Sequence, residues 1–242
     1  MKRSAVILIS FIAYALGNTI GLGVLTGGAV RMRLYTAAGV EPGKIVSLIA
    51  FNATAFGLGM TVFGAAGLLW GAPEVAEVAR LPAWLLRLIA AGALAGIAAF
   101  VALCVFRRSV RVFGRWELRL PPAKLAMTQL AISALDLAAS AAVLWVLLPQ
   151  GVIGLPTFAA FYTIGIALGV LSHVPGGIGV FEATILLAYA GRAPVEQIAG
   201  ALVLYRVIYY LLPLALAATL LAVYAGSRSE ERRVGKECRS RW

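Results

Sequence analysis

Apolar stretches at residues 4–25, 45–70, 83–106, 125–148, 158–190 and 200–225 alternate with short charged clusters along the sequence. Each is near or above the roughly 20 residues that a helix needs to cross about 30 Å of hydrocarbon. A soluble domain carries about a quarter charged residues; here 13% are charged and 62% are hydrophobic. No soluble fold can bury that much apolar side chain. The sequence therefore predicts an all-α, polytopic transmembrane helical bundle in which residues 1–226 form one membrane domain.

The net charge of +11 would suggest nucleic acid if the positions were ignored. Residues 227–242 hold six Lys/Arg and three Glu, and most of the remaining positive charge sits at the ends of apolar stretches. Basic residues there orient helices against the cytoplasmic side, so nucleic acid is excluded as a partner. Cys104 falls inside an apolar stretch and Cys238 in the polar tail, which argues against a disulfide. Lys2, Arg3 and the following apolar run imitate a signal peptide. The run continues past Leu25 without a small-residue cleavage site, so it reads as a retained helix. No short-period repeat is present.

The basic stretch 107–124 fixes an orientation, since Arg107, Arg108, Arg111, Arg115, Arg119 and Lys124 face one Glu117. It should be a solvated cytoplasmic loop that also meets anionic headgroups. Counting outward, loop 71–82 becomes external and segment 26–44, with Arg31, Arg33 and Lys44, cytoplasmic. Lys2 and Arg3 then fall on the outside. That violation predicts either a chain that begins within a longer protein or a first stretch that does not cross fully.

Residues 158–190 carry the most specific signal. Pro175 followed by Gly176 and Gly177 breaks any continuous helix, which predicts two half-helices, at 158–172 and 179–190, around an irregular centre. Non-helical backbone inside a bilayer survives only where protein buries it or a watery cavity receives it. Broken helices of this kind form binding sites in transporters.

Ionisable side chains at membrane depth cost several kcal/mol each and need a partner, a cavity or a role. Asp136 lies mid-stretch with Ser133 and Ser140 three and four residues away, suiting either helix packing or a polar path. Arg206 either snorkels or pairs with Asp136 or Glu182. Glu182 follows the break by one turn, where the helix dipole alone could hold it. His173 is the sole histidine and builds no metal site; it serves as a satisfied polar residue or a proton relay. No metal and no cofactor is expected. Gly27 and Gly28 precede Arg31 and Arg33, a pattern suited to phosphate or to ordinary anchoring. Glu182 and Arg206 are expected to approach one interior cavity, with Asp136 on an adjacent wall. Tyr35, Trp84, Trp116 and Tyr224 read as interfacial belt residues.

Three segments, Gly27–Tyr35 (GGAVRMRLY), His173–Glu182 (HVPGGIGVFE) and Leu204–Pro213 (LYRVIYYLLP), resemble the bacterial lysylphosphatidylglycerol synthetase/flippase family, the multiple peptide resistance factors. The likeness covers about residues 10–225, the membrane flippase region. It implies a multi-pass protein of the bacterial inner (cytoplasmic) membrane. It also implies a flippase that carries aminoacylated, typically lysyl-, phosphatidylglycerol from inner to outer leaflet and so repels cationic antimicrobial peptides. Substrate-binding candidates under this resemblance are Arg31, Arg33, Asp136, His173, Gly176, Gly177, Glu182 and Arg206. Anionic and aminoacylated phospholipids, a cytoplasmic aminoacyl-lipid synthetase domain and a second copy of the chain are the implied partners. The family's soluble transferase domain has no counterpart in this sequence, so the chain is not expected to be an enzyme in itself. The competing readings are an intramembrane lipid-modifying enzyme and a scaffold for a separate synthetase. Residues 227–242 do not resemble the family and are expected to be a disordered, artefactual tail on a fragment.

Overall fold

The computed structural model describes residues 3–20, 23–106, 109–112 and 116–222, with 3–5, 19–20, 23–26, 109–112 and 116–119 as backbone only. The chain folds as a polytopic helical membrane protein. Helices Pro42–Ala79 (α3), Ala83–Phe106 (α4), Ala123–Leu147 (α5) and Val195–Ala222 are each long and apolar enough to cross a membrane. Large apolar side chains point away from the protein along them: Trp70, Phe106, Leu135 and Val146 are all more than two-thirds exposed. In water this would be an aggregation surface; against lipid tails it carries no penalty. The expected tail at 227–242 lies outside the described residues.

Two compact units make up the chain, Met1–Ile49 with Arg206–Trp242, and Ala50–Tyr205. In the first, helix α1 (Arg3–Ile20) and helix α2 (Gly23–Ala37) pack on each other. They run antiparallel: a Cβ on Gly27 would come within 3.1 Å of the Ala13 carbonyl, while the Ser10 and Tyr35 hydroxyls lie 3.1 Å apart. The apolar stretch at 4–25 is therefore not a single crossing. It folds back with residues 26–37, and Arg3 at the start of α1 comes to the same end of the pair as Pro42. The pairing also corrects the reading of Tyr35. Its ring is buried with Ile9 and Ile45 and serves the hairpin core, not an interfacial belt. A second apolar cluster joins Ile12 and Ala15 to Ala217.

In the second unit, α3 packs antiparallel to helix α6 (Leu155–Leu171) through a glycine row. A Cβ on Gly71, Gly67 or Gly64 would lie 2.5–2.8 Å from atoms of Thr157, of Pro156 and Ala160, or of Thr163. Only hydrogen at these positions allows so close a crossing, the usual means of helix association in lipid. Gly59 meets Ser133 of α5 in the same way. Between α4 and α5, the basic stretch contains a two-stranded antiparallel ladder. Ser109–Val112 (β1) pairs with Trp116–Arg119 (β2), Arg111 opposite Glu117.

The last long helix begins as α8 (Val195–Arg206) and continues through a π turn at Val207–Leu211. Pro213 accounts for the turn, because its ring cannot coexist with an α-helical carbonyl four residues back. The backbone widens instead, and the Leu212 N–H donates to the Val207 carbonyl.

Candidate functional site

Helix α6 stops at Leu171, and the chain reverses through residues 172–179 into helix α7 (Val180–Ala188). Ser172 Oγ closes the end of α6 by donating to the Gly169 carbonyl at 2.9 Å, and the Val174 N–H donates to that hydroxyl at 3.4 Å. His173 then takes φ +56°, a left-handed conformation uncommon for residues other than glycine. A single 3₁₀ turn at Pro175–Gly177 follows, with Gly176, Gly177 and Gly179 at φ +61°, +62° and +86°. The expected break between two half-helices is present.

The two arms interlock through small residues. Gly165 faces Phe181 and Thr184, while a Cβ on Gly177 would meet the Gly169 Cα at 3.1 Å. Beneath this contact Tyr162, Tyr205, Ser140 and Phe181 are almost wholly buried. Tyr205 donates to the Tyr162 hydroxyl and Tyr162 to Ser140 Oγ, each at 2.8 Å, and Ser140 donates to the Leu137 carbonyl at 2.9 Å. Each hydroxyl proton is thus used, as a polar group sealed from water requires. The Phe181 ring stacks on Tyr205 with centroids 5.8 Å apart.

The mouth of the hairpin lies at one end of α3. Arg192, just past α7, approaches the Glu74 and Glu77 carboxylates at 3.6 and 3.2 Å. Gly154, just before α6, lies beside the same Glu74. The chain thus enters and leaves α6–α7 at the same end of α3, so this helix pair is re-entrant. These ion pairs are part-exposed and contribute under about 1 kcal/mol each; their information is geometric.

Several candidate residues converge on the reversal. His173 is exposed, Gly176 half-buried and Gly177 buried. The half-buried Glu182 accepts the Gly179 N–H at 2.7 Å, satisfying the first turn of α7 where the dipole favours an anion. Asp136 lies on a different element of the same unit. Its α5 neighbours Ser133 and Ser140 turn inward against Gly59 and Tyr162, while Asp136 itself lies on the exposed side. Arg31, half-buried, and Arg33, exposed, sit on α2 in the other unit. Arg206, at the end of α8, belongs to that unit too, and its guanidinium lies 4.6 Å over the Tyr210 ring.

The Tyr205–Tyr162–Ser140 chain and the Arg192 cluster escaped the sequence. Tyrosine in an apolar run reads as one more large side chain, and Arg192 lies more than 100 residues from Glu74.

A membrane-integral helical protein with a re-entrant helix pair and an irregular, glycine-rich reversal is the class this architecture defines. The chain belongs to the family described as the lysylphosphatidylglycerol synthase TM region, which matches residues 1–217. It is 32% identical over 225 residues to the inner membrane protein YbhN of Escherichia coli, covering 90% of this chain and 68% of that one. It is 31% identical over 219 residues to the uncharacterized protein slr0712 of Synechocystis, covering 89% and 67%. A phosphatidylglycerol lysyltransferase of Staphylococcus aureus is 23% identical over 235 residues, 93% of this chain but only 26% of that enzyme. Membership relates the chain to membrane lipid function and to phospholipids.

Proposed function

We propose that this chain is a lipid flippase that moves aminoacylated phosphatidylglycerol, foremost the lysyl form, from the inner to the outer leaflet. The observation that carries the reading is the re-entrant α6–α7 pair with its left-handed, glycine-rich reversal and the Glu182 carboxylate one turn beyond. A zwitterionic or cationic headgroup crosses hydrocarbon only if polar groups replace its water, because stripping a charge is costly. Half-helix termini and irregular backbone supply such groups in transporters.

The headgroup chemistry matches the charges available. The ammonium groups of a lysyl ester pair with carboxylates, here Glu182 and Asp136. Its phosphodiester suits a guanidinium, for which Arg206 is the membrane-embedded candidate. His173 and the Gly176–Gly177 backbone give the headgroup polar contacts at the reversal. The staphylococcal relative, a phosphatidylglycerol lysyltransferase, supports phosphatidylglycerol as the lipid class. The aminoacyl lipid would be supplied by a synthetase domain or partner. Its delivery to the outer leaflet would lower the negative surface charge and blunt cationic antimicrobial peptides.

Reconstitution into vesicles with labelled lysyl-phosphatidylglycerol or unmodified phosphatidylglycerol tests the reading. Faster crossing of the lysyl lipid than in protein-free vesicles is expected. A chemically altered lipid without crossing would replace the flippase by a lipid-modifying enzyme. No crossing and no chemistry would leave a scaffold for a separate synthetase.

A further inference from the structure

The α6–α7 hairpin keeps one antiparallel register from its reversal to its mouth. Gly169 meets Gly177 and Gly165 meets Phe181. Carried on, that pairing sets Thr157 opposite Tyr189 and Gly154 opposite Arg192. The last pair is seen directly, because Gly154 and Arg192 both lie beside Glu74. Thr157 in turn is the residue against which Gly71 of α3 packs, one turn before Glu74. Phe181, Ile185 and Tyr189, at steps of four, form the buried face of α7. Tyr189 therefore points into the junction of α3, α6 and α7, one turn below Glu74.

Two polar atoms there lack hydrogen bonds. Glu74 Oε2 and the Tyr189 hydroxyl are each buried with no hydrogen-bond partner among the described residues. Tyr189 is 0% exposed, so solvent at the surface does not serve it. Arg192 does not supply the donor that Glu74 lacks. Its guanidinium donates to Glu77 at 3.2 Å and comes only within ion-pair range of Glu74 Oε2, at 3.6 Å. Two carboxylates against one guanidinium leave one negative charge at the mouth. The guanidinium covers Glu74 without bonding it.

A metal ion matches this donor set poorly. It needs more oxygens than one carboxylate and one phenol, and among the described residues no group of three His, Cys, Asp or Glu is assembled. A primary ammonium with a carbonyl next to it matches both atoms. The ammonium donates to Glu74 Oε2, and the carbonyl accepts the Tyr189 proton. Those two groups side by side are an α-amino ester. The mouth stands at the opposite end of α4 from the basic stretch 107–124, which puts it on the outer face.

We infer that Glu74 and Tyr189 form a binding site for an α-amino ester at the outer mouth of the hairpin, with Arg192 as its displaceable cover. The incoming ammonium takes over Glu74 while Arg192 stays with Glu77. That the ester is carried on a lipid headgroup arriving in the outer leaflet rests on the flippase reading; the amino-ester chemistry does not.

Binding to the purified full chain in detergent tests the site without requiring a lipid to cross. A Glu182→Gln/Asp136→Asn background removes the competing carboxylates. The probes are short-chain lysyl-phosphatidylglycerol, phosphatidylglycerol, lysine methyl ester, and phosphatidylethanolamine, which has an ammonium but no carbonyl beside it. Glu74→Gln should weaken binding of the lysyl lipid about tenfold, the scale of one charge-assisted hydrogen bond. Tyr189→Phe should weaken it about threefold to tenfold, with no loss of thermal stability and no effect on phosphatidylethanolamine. Arg192→Gln should tighten it, the opposite sign to that of a residue that merely holds the mouth together. Lysyl-lipid binding unchanged in both Glu74→Gln and Tyr189→Phe overturns the site, and weaker binding in Arg192→Gln overturns the cover. Lysine methyl ester binding as tightly as the lipid supports the site with a soluble bearer, and preference for the lipid supports it with a headgroup. Failed flipping with these binding results intact would overturn the transport reading alone.

Discussion

Gly169 and Gly177 lie backbone against backbone at the reversal of the α6–α7 hairpin, so close that a Cβ on Gly177 would sit 3.1 Å from the Gly169 Cα. Gly177 also holds φ +62°, so a side chain there meets both a steric and a conformational penalty. Gly177→Ala should cost about 1–2 kcal/mol for the left-handed backbone alone, more with the contact. A fall in melting temperature of several degrees is expected. Gly39→Ala, equally left-handed but with nothing within 4 Å, isolates the conformational part. Equal losses in the two variants would show that the hairpin contact contributes nothing.

The glycine row on α3 makes a separate prediction. A Cβ on Gly71 would lie 2.6 Å from the Thr157 backbone N, an atom that cannot swing aside. Gly71→Ala should therefore push α3 and α6 apart and destabilise the protein. Gly92→Ala, on α4 with open space around it, should be neutral or stabilising by about 0.5–1 kcal/mol from reduced chain entropy. Thermal unfolding in one detergent compares them directly. Tolerance of both would contradict the close crossing.

Two buried tyrosines should respond oppositely to loss of a hydroxyl. Tyr162 donates to Ser140 and accepts from Tyr205, so Tyr162→Phe removes two buried hydrogen bonds and should cost about 1–3 kcal/mol. The Tyr189 hydroxyl is fully buried and has no hydrogen-bond partner among the described residues. Tyr189→Phe should be neutral or stabilising, since it removes an unsatisfied polar group. Chemical or thermal denaturation in detergent decides the order of the two.

Glu182 has a local duty as well as its proposed one, and substitutions separate them. Glutamine keeps an oxygen that can accept the Gly179 N–H, so Glu182→Gln should fold normally and still lose transport of the lysyl lipid. Glu182→Ala should lose transport and about 1 kcal/mol of stability with the cap. Asp136→Asn, on the exposed side of α5, should lower transport without measurable destabilisation. Outer-leaflet lysyl-phosphatidylglycerol at constant total lipid is the readout. Wild-type transport by both carboxamides would return these residues to structural roles.

Much of this protein was legible in its residues because the bilayer imposes strong one-dimensional rules. Length and apolarity marked α3, α4, α5 and the last helix, and Pro175-Gly176-Gly177 marked the reversal, since no helix runs through that triplet. The charge mismatch at Lys2 and Arg3 hinted that the first apolar stretch did not cross, without saying what it did instead. What remained depended on contacts between distant segments. The return of α2 onto α1, the burial of Tyr35, the Tyr205–Tyr162–Ser140 chain and the Arg192 cluster join residues far apart in sequence. Periodicity carries no record of such neighbours. Apolarity and one Pro-Gly-Gly triplet were enough to place the chain in a membrane and to locate a helix break, because hydrocarbon admits only satisfied backbone. Which helices fold back on one another was decided by tertiary packing, where missing side chains at Gly27, Gly169 and Gly177 let backbones touch.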